Sequence, residues 1–333
     1  MPWTWQNVEP TDRPRGCHVA WLVGDEPRRR VVLWGGAFPV TKADGEYWES
    51  EDRTWAWDGS NWSVAAEGPI PPTSMTGWGN ATSTPAGVLL FGGFGKARTS
   101  GRLSFLGGEG PLDETWMLGA TGWAPLAPRT SPGARMGSAL GYDRQRGVVL
   151  LFGGGGMMLR GSRDTWAWDG NTWSELHAAS APPPVLGATM YFDEELGQLV
   201  LTGGQVGVDA FSDLWTWDGS TWRELAIRGG PPIILGAVGY HAGGRSLVRF
   251  GGKNKSVRGI SFHTPFDDDT WVLHGGEWRA HEQVTRPTVR QNVSMAYDAT
   301  NQELVLFGGL APSGGPSSVL DDTWVLRPSE DST

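Results

Sequence analysis

A short pattern of tryptophans around an Asp-Gly pair recurs along the chain and constrains its fold more than any other feature. Its clearest copy runs over residues 164–173, where Trp166 and Trp168 stand two positions apart and an Asp-Gly pair precedes a third tryptophan. Residues two apart in a strand point to the same face, and Asp-Gly favours a tight turn. The pattern therefore predicts a β-hairpin, with close copies at 55–62 and 215–222. Looser copies, with glycines but no Asp-Gly pair in the turn, lie at 116–123 and 271–278, and a half copy lies at 322–326.

A second recurring unit precedes each hairpin and ends in a pair of glycines. In its clearest form, a strand of small residues at 135–143 and a turn at 144–147 lead into an apolar strand at 148–154. The unit recurs roughly every 50 to 60 residues, a spacing typical of repeat architectures. Each repeat thus supplies four strands, and its double glycine lies at 35–36, 92–93, 153–154, 203–204, 251–252 and 308–309.

These features together resemble the kelch repeat, the unit that also builds the central domain of galactose oxidase. The resemblance rests on Gly-Gly after the second strand, Asp-x-Trp in the third and a later tryptophan, and it covers essentially the whole chain. Kelch repeats fold as β-propellers with one four-stranded blade per repeat. The resemblance implies an all-β fold, a single six-bladed propeller of antiparallel strands over residues 1–327. Residues 328–333 show no strand pattern, so we expect a disordered tail there.

The sixth repeat lacks its own fourth strand, and the opposite end of the chain supplies a match. Residues 4–8, Thr-Trp-Gln-Asn-Val, resemble residues 172–176, Thr-Trp-Ser-Glu-Leu. Because a closed ring leaves no exposed sheet edge, we expect the N-terminal strand around Trp5 to pair in the last blade and close the propeller.

Composition excludes several classes of protein. The 333-residue chain has a formal net charge of −9, which disfavours general nucleic-acid binding. Its one cysteine, Cys17, cannot form an intrachain disulfide. The sequence has neither a signal-peptide pattern nor a run long enough to span a membrane. We expect a cytoplasmic, monomeric protein with no nucleic-acid or membrane partner.

Most tryptophans have a structural explanation. Of the 20 tryptophans, 16 fall in the hairpin units when Trp3 and Trp5 of the N-terminal strand are counted, so we expect them to pack between blades. The alternative is an aromatic platform for sugar binding, for which Trp48 is the one candidate because it lies in a predicted loop.

Loop lengths predict which end of the propeller carries a site. The connections between first and second strands, and between third and fourth strands, are short turns. The long connections, at 37–51, 94–112 and 253–268, emerge at the opposite end, and sites are usually built on such loops. Their aromatic and methionine side chains either pack down or line a pocket.

A funnel at the long-loop end is predicted to bind a small, partly apolar, anionic organic molecule. His18, Arg135 and Arg290 would be the catalytic groups of a cofactor-independent cyclase or isomerase that stabilises developing charge. Alternatively, the arginines hold loops or pair with aspartates such as Asp209, Asp267 and Asp268. The predicted ligand-binding residues are Cys17, Phe38, Tyr47, Trp48, Ser74, Met75, Phe94, Lys96, Met136, Met157, Gln205, Lys253, Asn254, His263 and Gln291.

No metal or other cofactor is expected. The six histidines form no pair at metal-ligand spacing, and a copper site of the galactose oxidase type would require Tyr47 to crosslink with Cys17.

Cys17 next to His18 resembles a thiolate–imidazole pair, but adjacent strand residues point apart, so a small buried residue is the alternative. The six-bladed kelch sialic-acid mutarotases are an analogy for cofactor-free work in such a funnel. The competing function is a protein-interaction module that holds a peptide at the same end.

Overall fold

The computed structural model describes residues 3–66, 70–72, 80–96, 109–156, 161–206, 209–227, 230–231, 233–254, 266–281, 283–313 and 318–329. Strands dominate these ranges, and a single-turn 3-10 helix occupies Glu26–Arg28. In the described part of the chain, no helix is long and apolar enough to cross a membrane.

The strands are numbered in chain order. Residues 3–66 form β1 (Trp3–Val8), β2 (Trp21–Asp25), β3 (Arg30–Trp34), β4 (Ala37–Lys42), β5 (Gly45–Ser50), β6 (Thr54–Trp57) and β7 (Trp62–Ala66). Residues 80–126 form β8 (Asn80–Thr84), β9 (Gly87–Phe91), β10 (Phe94–Lys96), β11 (Glu109–Pro111), β12 (Thr115–Gly119) and β13 (Gly122–Leu126). Residues 136–225 form β14 (Met136–Asp143), β15 (Val148–Gly155), β16 (Thr165–Trp168), β17 (Trp173–Leu176), β18 (Thr189–Asp193), β19 (Gln198–Thr202), β20 (Gln205–Val206), β21 (Asp209–Ala210), β22 (Leu214–Trp217) and β23 (Trp222–Leu225).

The remaining strands follow residue 232. They are β24 (Ile233–Ile234), β25 (Ala237–His241), β26 (Ser246–Phe250), β27 (Lys253–Asn254), β28 (Thr270–His274), β29 (Glu277–His281), β30 (Ser294–Asp298), β31 (Glu303–Phe307) and β32 (Thr323–Pro328).

One four-stranded antiparallel sheet corresponds to each sequence repeat, so the fold is a six-bladed β-propeller, as predicted. The blades, numbered by repeat, are β2-β3-β6-β7, β8-β9-β12-β13, β14-β15-β16-β17, β18-β19-β22-β23, β25-β26-β28-β29 and β30-β31-β32-β1. Contacts group the blades into two compact units. Unit 1 (Met1–Glu67 with Ile227–Thr333) holds blades 1, 5 and 6, and unit 2 (Gly68–Ala226) holds blades 2, 3 and 4.

The predicted closure by the N-terminal strand is confirmed. Strand β1 runs antiparallel to β32, and Trp5 lies opposite Leu326. Trp5 is 1% exposed, and its Nε1 donates a hydrogen bond of 2.8 Å to Thr270 Oγ1 in blade 5. The first strand of the chain is therefore the fourth strand of blade 6.

The fourth-strand tryptophans of three further blades connect neighbouring blades in the same way. In unit 2, the indole of Trp173 donates to Thr115 and that of Trp222 to Thr165, each at 3.0 Å. In unit 1, Trp62 donates to Thr323 at 2.9 Å. Each threonine is the one that precedes the third-strand tryptophan, so one motif supplies both donor and acceptor. Burying one indole removes about 150–250 Å² from water, worth at most about 4–6 kcal/mol in transfer terms.

The short turns share one end of each unit, as loop lengths predicted. In unit 1, the Asn301 amide of a first-to-second-strand turn donates to the Asp58 carbonyl of a third-to-fourth-strand turn, at 3.3 Å. Asp58 Oδ1 also accepts the backbone N–H groups of Ser60 and Asn61, both at 2.8 Å. These bonds explain why Asp-Gly pairs fix the tight turns. We call this end the turn end, and the opposite end the loop end.

The long connections are more regular than the sequence prediction. Residues 37–51 form the hairpin β4–β5, and the pairs β10–β11 and β20–β21 lie in the corresponding connections of blades 2 and 4. A further pair, β24–β27, joins the segment before the first strand of blade 5 to the segment after its second strand. Trp48 therefore lies on a strand and not in a loop. The overlooked signal was Asp44-Gly45, which stands between two short runs of alternating residues and is the same turn pair that marks the main hairpins.

Candidate functional site

Two backbone hydrogen bonds join the starts of the first strands in unit 1. Asn292 N donates to Leu235 O at 2.8 Å, and Val19 N donates to Asn292 O at 2.9 Å. In unit 2 the same bond joins Gly187 N to Gly137 O at 2.8 Å. We call the three unit 1 residues and those before them the unit 1 rim: His18, Val19, Ile234, Leu235, Gln291 and Asn292.

The unit 1 rim retains backbone strain where unit 2 has glycine. Val19, Leu235 and Asn292 have φ of 53°, 61° and 53°, whereas Gly137 and Gly187 both have φ of 68°. A left-handed backbone costs a residue with a side chain about 1–2 kcal/mol, and it is exceptional for a β-branched residue such as valine. Strain retained at several neighbouring positions is typical of functional sites, where the side chain gained outweighs the stability lost.

Two rim side chains carry buried polar atoms that need a partner. Among the described residues, neither His18 Nδ1 nor Gln291 Oε1 has a hydrogen-bond partner. The backbones of both residues are fully used, by Ala37 and Leu310 respectively, at 2.9 to 3.1 Å. Nearly all buried polar atoms in proteins are hydrogen-bonded, so a water molecule or a ligand is expected at these two atoms.

Burial lowers the pKa of His18 and therefore favours its neutral ring. A neutral imidazole has one nitrogen that donates a hydrogen bond and one that accepts. The ring also packs edge-on against Trp48, with centroids 4.7 Å apart and planes at 74°. Because Ala37 on the same hairpin bonds the His18 backbone, β4–β5 forms a fixed wall beside this histidine.

The two arginines predicted to be catalytic are occupied by the protein itself. Arg290 is 0% exposed and binds both carboxylate oxygens of Asp322, at 2.6 and 2.8 Å. It also donates to the carbonyls of Thr288 and Gly308, at 2.8 and 2.9 Å. A guanidinium has five N–H groups, so these four bonds leave little for a ligand.

Arg135 repeats this arrangement in unit 2. It binds both oxygens of Asp164, at 2.7 and 2.8 Å, and the carbonyls of Gly133 and Gly153. A catalytic role for Arg135 and Arg290 stays a prediction, and this geometry favours the alternative that arginine pairs with aspartate. The partners are Asp164 and Asp322 of the hairpin motif, and not the aspartates that we named from the sequence.

Cys17 occupies the repeat position of Arg290. Gly309 N donates to Cys17 O at 2.9 Å, just as Gly252 N donates to Arg290 O at 2.7 Å. The thiol is 2% exposed and packs in the apolar core of unit 1. Burial, aided by the nearby Glu51 carboxylate, raises its pKa from 9.0 to about 12. This setting favours a small core residue over a nucleophile or a ligand contact.

Cys17 is accordingly expected to be inert in the folded protein. A raised pKa leaves on the order of a thousandfold less thiolate than an ordinary cysteine has, because each pKa unit is a factor of ten. Dithionitrobenzoate at pH 8 should release almost no thionitrobenzoate from native protein, and one equivalent after unfolding in guanidinium. Rapid reaction of the native protein would show that the thiol is accessible.

The other predicted ligand-binding residues are divided between the two units. In unit 1, Phe38 is buried, and the guanidinium carbon of Arg15 lies 4.9 Å from the centroid of the Phe38 ring. The Lys253 ammonium lies 5.3 Å from the centroid of the Phe266 ring. Tyr47 is 41% exposed and donates to Asp44 at 2.9 Å. In unit 2, Met136 is buried, Phe94 and Gln205 are half-buried and Lys96 is exposed.

Several predicted residues cannot be placed. Ser74, Met75, Met157 and His263 lie outside the described residues. Asn254 is described through its backbone, which pairs with Ile233. The structure thus brings His18, Trp48 and Gln291 to the same end of unit 1, close to Cys17.

The sequence prediction missed Val19 and Asn292. A strict alignment of the repeats would have found them, because they take the positions of Gly137 and Gly187 at a point where glycine is the unstrained choice.

In the ranges that the structure describes, no group of three or more His, Cys, Asp or Glu residues is placed to hold a metal ion.

Comparisons with known proteins identify the fold but no family. No protein-family model matches the chain, and neither does any curated protein. A solved structure of YjhT aligns with 97% of this chain and 98% of its own, with a TM-score of 0.69 and 14% sequence identity. A likeness at this identity supports the six-bladed propeller and extends no further.

Proposed function

We propose that the unit 1 rim binds a small, partly apolar organic molecule. The observation that carries this proposal is the pair of unpartnered buried atoms, His18 Nδ1 and Gln291 Oε1, on successive blades whose starts are hydrogen-bonded to each other. Gln291 Oε1 requires a donor, such as a hydroxyl or amide of the ligand. His18 Nδ1 accepts or donates according to its tautomer.

Apolar surface of the ligand would pack on the neighbouring side chains. Leu235 is 36% exposed although it is large and apolar, Val19 is half-buried, and Trp48 stands against His18. The strain at Val19 and Leu235 is then explained, because glycine would be easier to accommodate there but would offer no contact. A negative charge on the ligand is no longer favoured by Arg135 and Arg290, whose donors are used by the protein.

Catalysis at this rim would depend on His18. A neutral histidine with a free ring nitrogen serves as a general base or acid, which is the requirement for cofactor-independent isomerisation or cyclisation. The pKa of His18 is lowered by burial, so the basic form persists as pH falls towards and below the ordinary value of 6.5. Catalysis of this kind stays part of the proposal.

Removal of the two polar side chains is expected to weaken binding at the rim. A library of small hydroxylated and aromatic fragments would be screened by ligand-observed NMR against the wild type. Affinity for its binders should fall at least about tenfold in His18→Ala/Gln291→Ala, because two hydrogen bonds contribute about 1–3 kcal/mol. The matched control is Gln302→Ala, which removes an amide at the turn end and should leave affinity unchanged.

Two results would count against the proposal: no fragment binds, or the binders are held equally well by the double variant. Circular dichroism and the thermal midpoint of each variant establish that the fold is retained.

The competing function is peptide binding at the same end. It is favoured by the hairpin β4–β5, whose strand β5 pairs on one side with β4 and, among the described residues, with no other strand. Such an edge accepts a peptide as an added strand. Amide exchange protection over residues 45–50 on adding a peptide mixture, with no fragment bound at the rim, would select this function.

A further inference from the structure

A cavity at the turn end of unit 1 has the features of a second binding site, remote from the rim. It lies between the first-to-second-strand turns of blades 1 and 6 and has a volume of about 170 Å³. That volume is large enough for several water molecules or one small molecule. Its lining residues are Gly24, Glu26, Arg29, Arg30, Tyr297, Ala299 and Thr300.

Arg30 is oriented for ligand binding by a buried carboxylate. Its Nε donates to Asp25 Oδ2 at 3.0 Å, and Asp25 is 0% exposed. The same carboxylate accepts Arg28 Nη1 at 2.9 Å. One aspartate therefore serves two guanidinium groups. The hydrogen bond through Nε holds the Arg30 guanidinium in place and leaves its two Nη groups, for which no described residue provides a partner.

Arg29 keeps a strained backbone at the position where other turns have glycine. It has φ of 54°, and the corresponding residues in blades 3 and 4 are Gly147 and Gly197, with φ of 70° and 63°. Its side chain is exposed and, among the described residues, has no ion-pair partner. As at the rim, a costly conformation is retained together with a side chain that lines a cavity.

The remaining walls add polar groups and limit the charge of a ligand. Thr300 Oγ1 donates to the Arg29 carbonyl at 3.2 Å, which joins the two turns. Tyr297 accepts the Gly243 N–H at 3.3 Å, and burial, together with Asp298 and Glu26, raises its pKa and keeps the phenol neutral. Residues 25–30 contain three arginines, one aspartate and one glutamate, so 3 − 2 leaves one positive charge.

We propose that this cavity binds a small oxyanion, a carboxylate or a phosphate, through the guanidinium groups of Arg29 and Arg30. The planar fork of arginine matches two oxygens of either group, and its Nη pair is the part left open here. The volume admits an anion of the size of phosphate or malonate. The excess of positive over negative charge on residues 25–30 favours an anion over a neutral ligand.

The proposal is tested by titrating the folded protein with inorganic phosphate and, separately, with malonate, at constant ionic strength. Amide chemical shifts in residues 24–30 and 297–300 report binding. The wild type should bind at least one of the two anions saturably. Arg29→Gly should weaken that binding at least about fivefold without loss of stability, because glycine relieves the left-handed backbone.

Two further variants keep the test decisive. Gln302→Gly relieves the same strain at the equivalent turn position of blade 6 (φ of 53°) and should leave anion binding unchanged. Glu26→Gln should strengthen binding, because it removes a negative charge from the cavity wall. Binding that is absent in the wild type, or equal in the wild type and Arg29→Gly, would overturn the proposal. Equal weakening by Gln302→Gly would do so as well, since it would trace the effect to the backbone and not to the guanidinium.

Discussion

Trp5→Ala is expected to lower the free energy of unfolding by about 3–5 kcal/mol, the usual cost of removing a buried indole. Trp5 is 1% exposed, packs against Phe250 with ring centroids 5.2 Å apart and donates to Thr270 Oγ1. The substitution leaves a cavity and a buried hydroxyl without its donor. Urea unfolding followed by circular dichroism measures the loss.

Its controls separate the indole from the strand. Gln6→Ala changes an exposed neighbour on the opposite face of β1 and should alter stability by less than about 0.5 kcal/mol. Deletion of residues 1–9 removes all of β1, leaves one edge of β32 unpaired and should lower the thermal midpoint further than Trp5→Ala. An unchanged midpoint after this deletion would contradict the role of β1 in closing blade 6.

Arg290→Ala is expected to destabilise the protein by about 3–5 kcal/mol, because it leaves the Asp322 carboxylate without its buried partner. The matched control is an exposed ion pair that uses Asp321, the residue before Asp322. Arg13 and Asp321 form a salt bridge of 3.2 Å, and their side chains are 48% and 51% exposed. Arg13→Ala should therefore lower the free energy of unfolding by less than about 1 kcal/mol. Chemical unfolding measures both. A double-mutant cycle with Asp322→Ala isolates the pair, and a coupling near zero would refute its importance.

Acid should weaken the same pair. Burial of Asp322 opposes its ionisation, but the hydrogen bonds and charge of Arg290, with the indole of Trp324, together lower its pKa below 3.8. The stabilisation is complete above the unfolded-state pKa and is lost as pH falls through the lower folded-state pKa. Asp322→Asn should therefore lose less stability than the wild type between pH 5 and 2. The difference in slope should correspond to about one fewer proton taken up on unfolding.

These results bear on how any loss of function in arginine variants is interpreted. Arg135 and Arg290 hold the third strand of their own blades through Asp164 and Asp322. If an alanine variant of Arg135 or Arg290 is inactive, the first explanation to test is therefore that it has unfolded. The variants of His18 and Gln291 test function at lower risk, because these side chains are only half-buried.

The fold followed from the sequence because its signals are local. An Asp-Gly turn between alternating tryptophans defines a hairpin without reference to the rest of the chain. Because the hairpin and its preceding strands recur six times, the sequence also predicts the number of blades. The completion of blade 6 by Trp5 was also predictable, since a strand was missing at one terminus and a matching one was present at the other.

The site was harder to predict because it depends on long-range pairing. Arg135 reaches Asp164 across 29 residues and Arg290 reaches Asp322 across 32, and these aspartates belong to a motif that otherwise marks hairpins. The unmatched atoms of His18 and Gln291 are visible only when all neighbours are in place. The strain at Val19 and Asn292 is likewise a property of dihedral angles, which residue types do not state.

The pairing of β1 with β32 has a consequence for how the protein is made. A ribosome synthesises β1 first and its neighbour β32 last among the strands, so Trp3 and Trp5 emerge long before the surface that buries them exists. Until then a nascent chain carries an unpaired, aromatic strand. Such strands invite association with other chains until their partner strand is available. Joining the two ends and opening the chain at a turn such as Asp169-Gly170 would let that blade assemble from consecutive residues, and should shorten the interval.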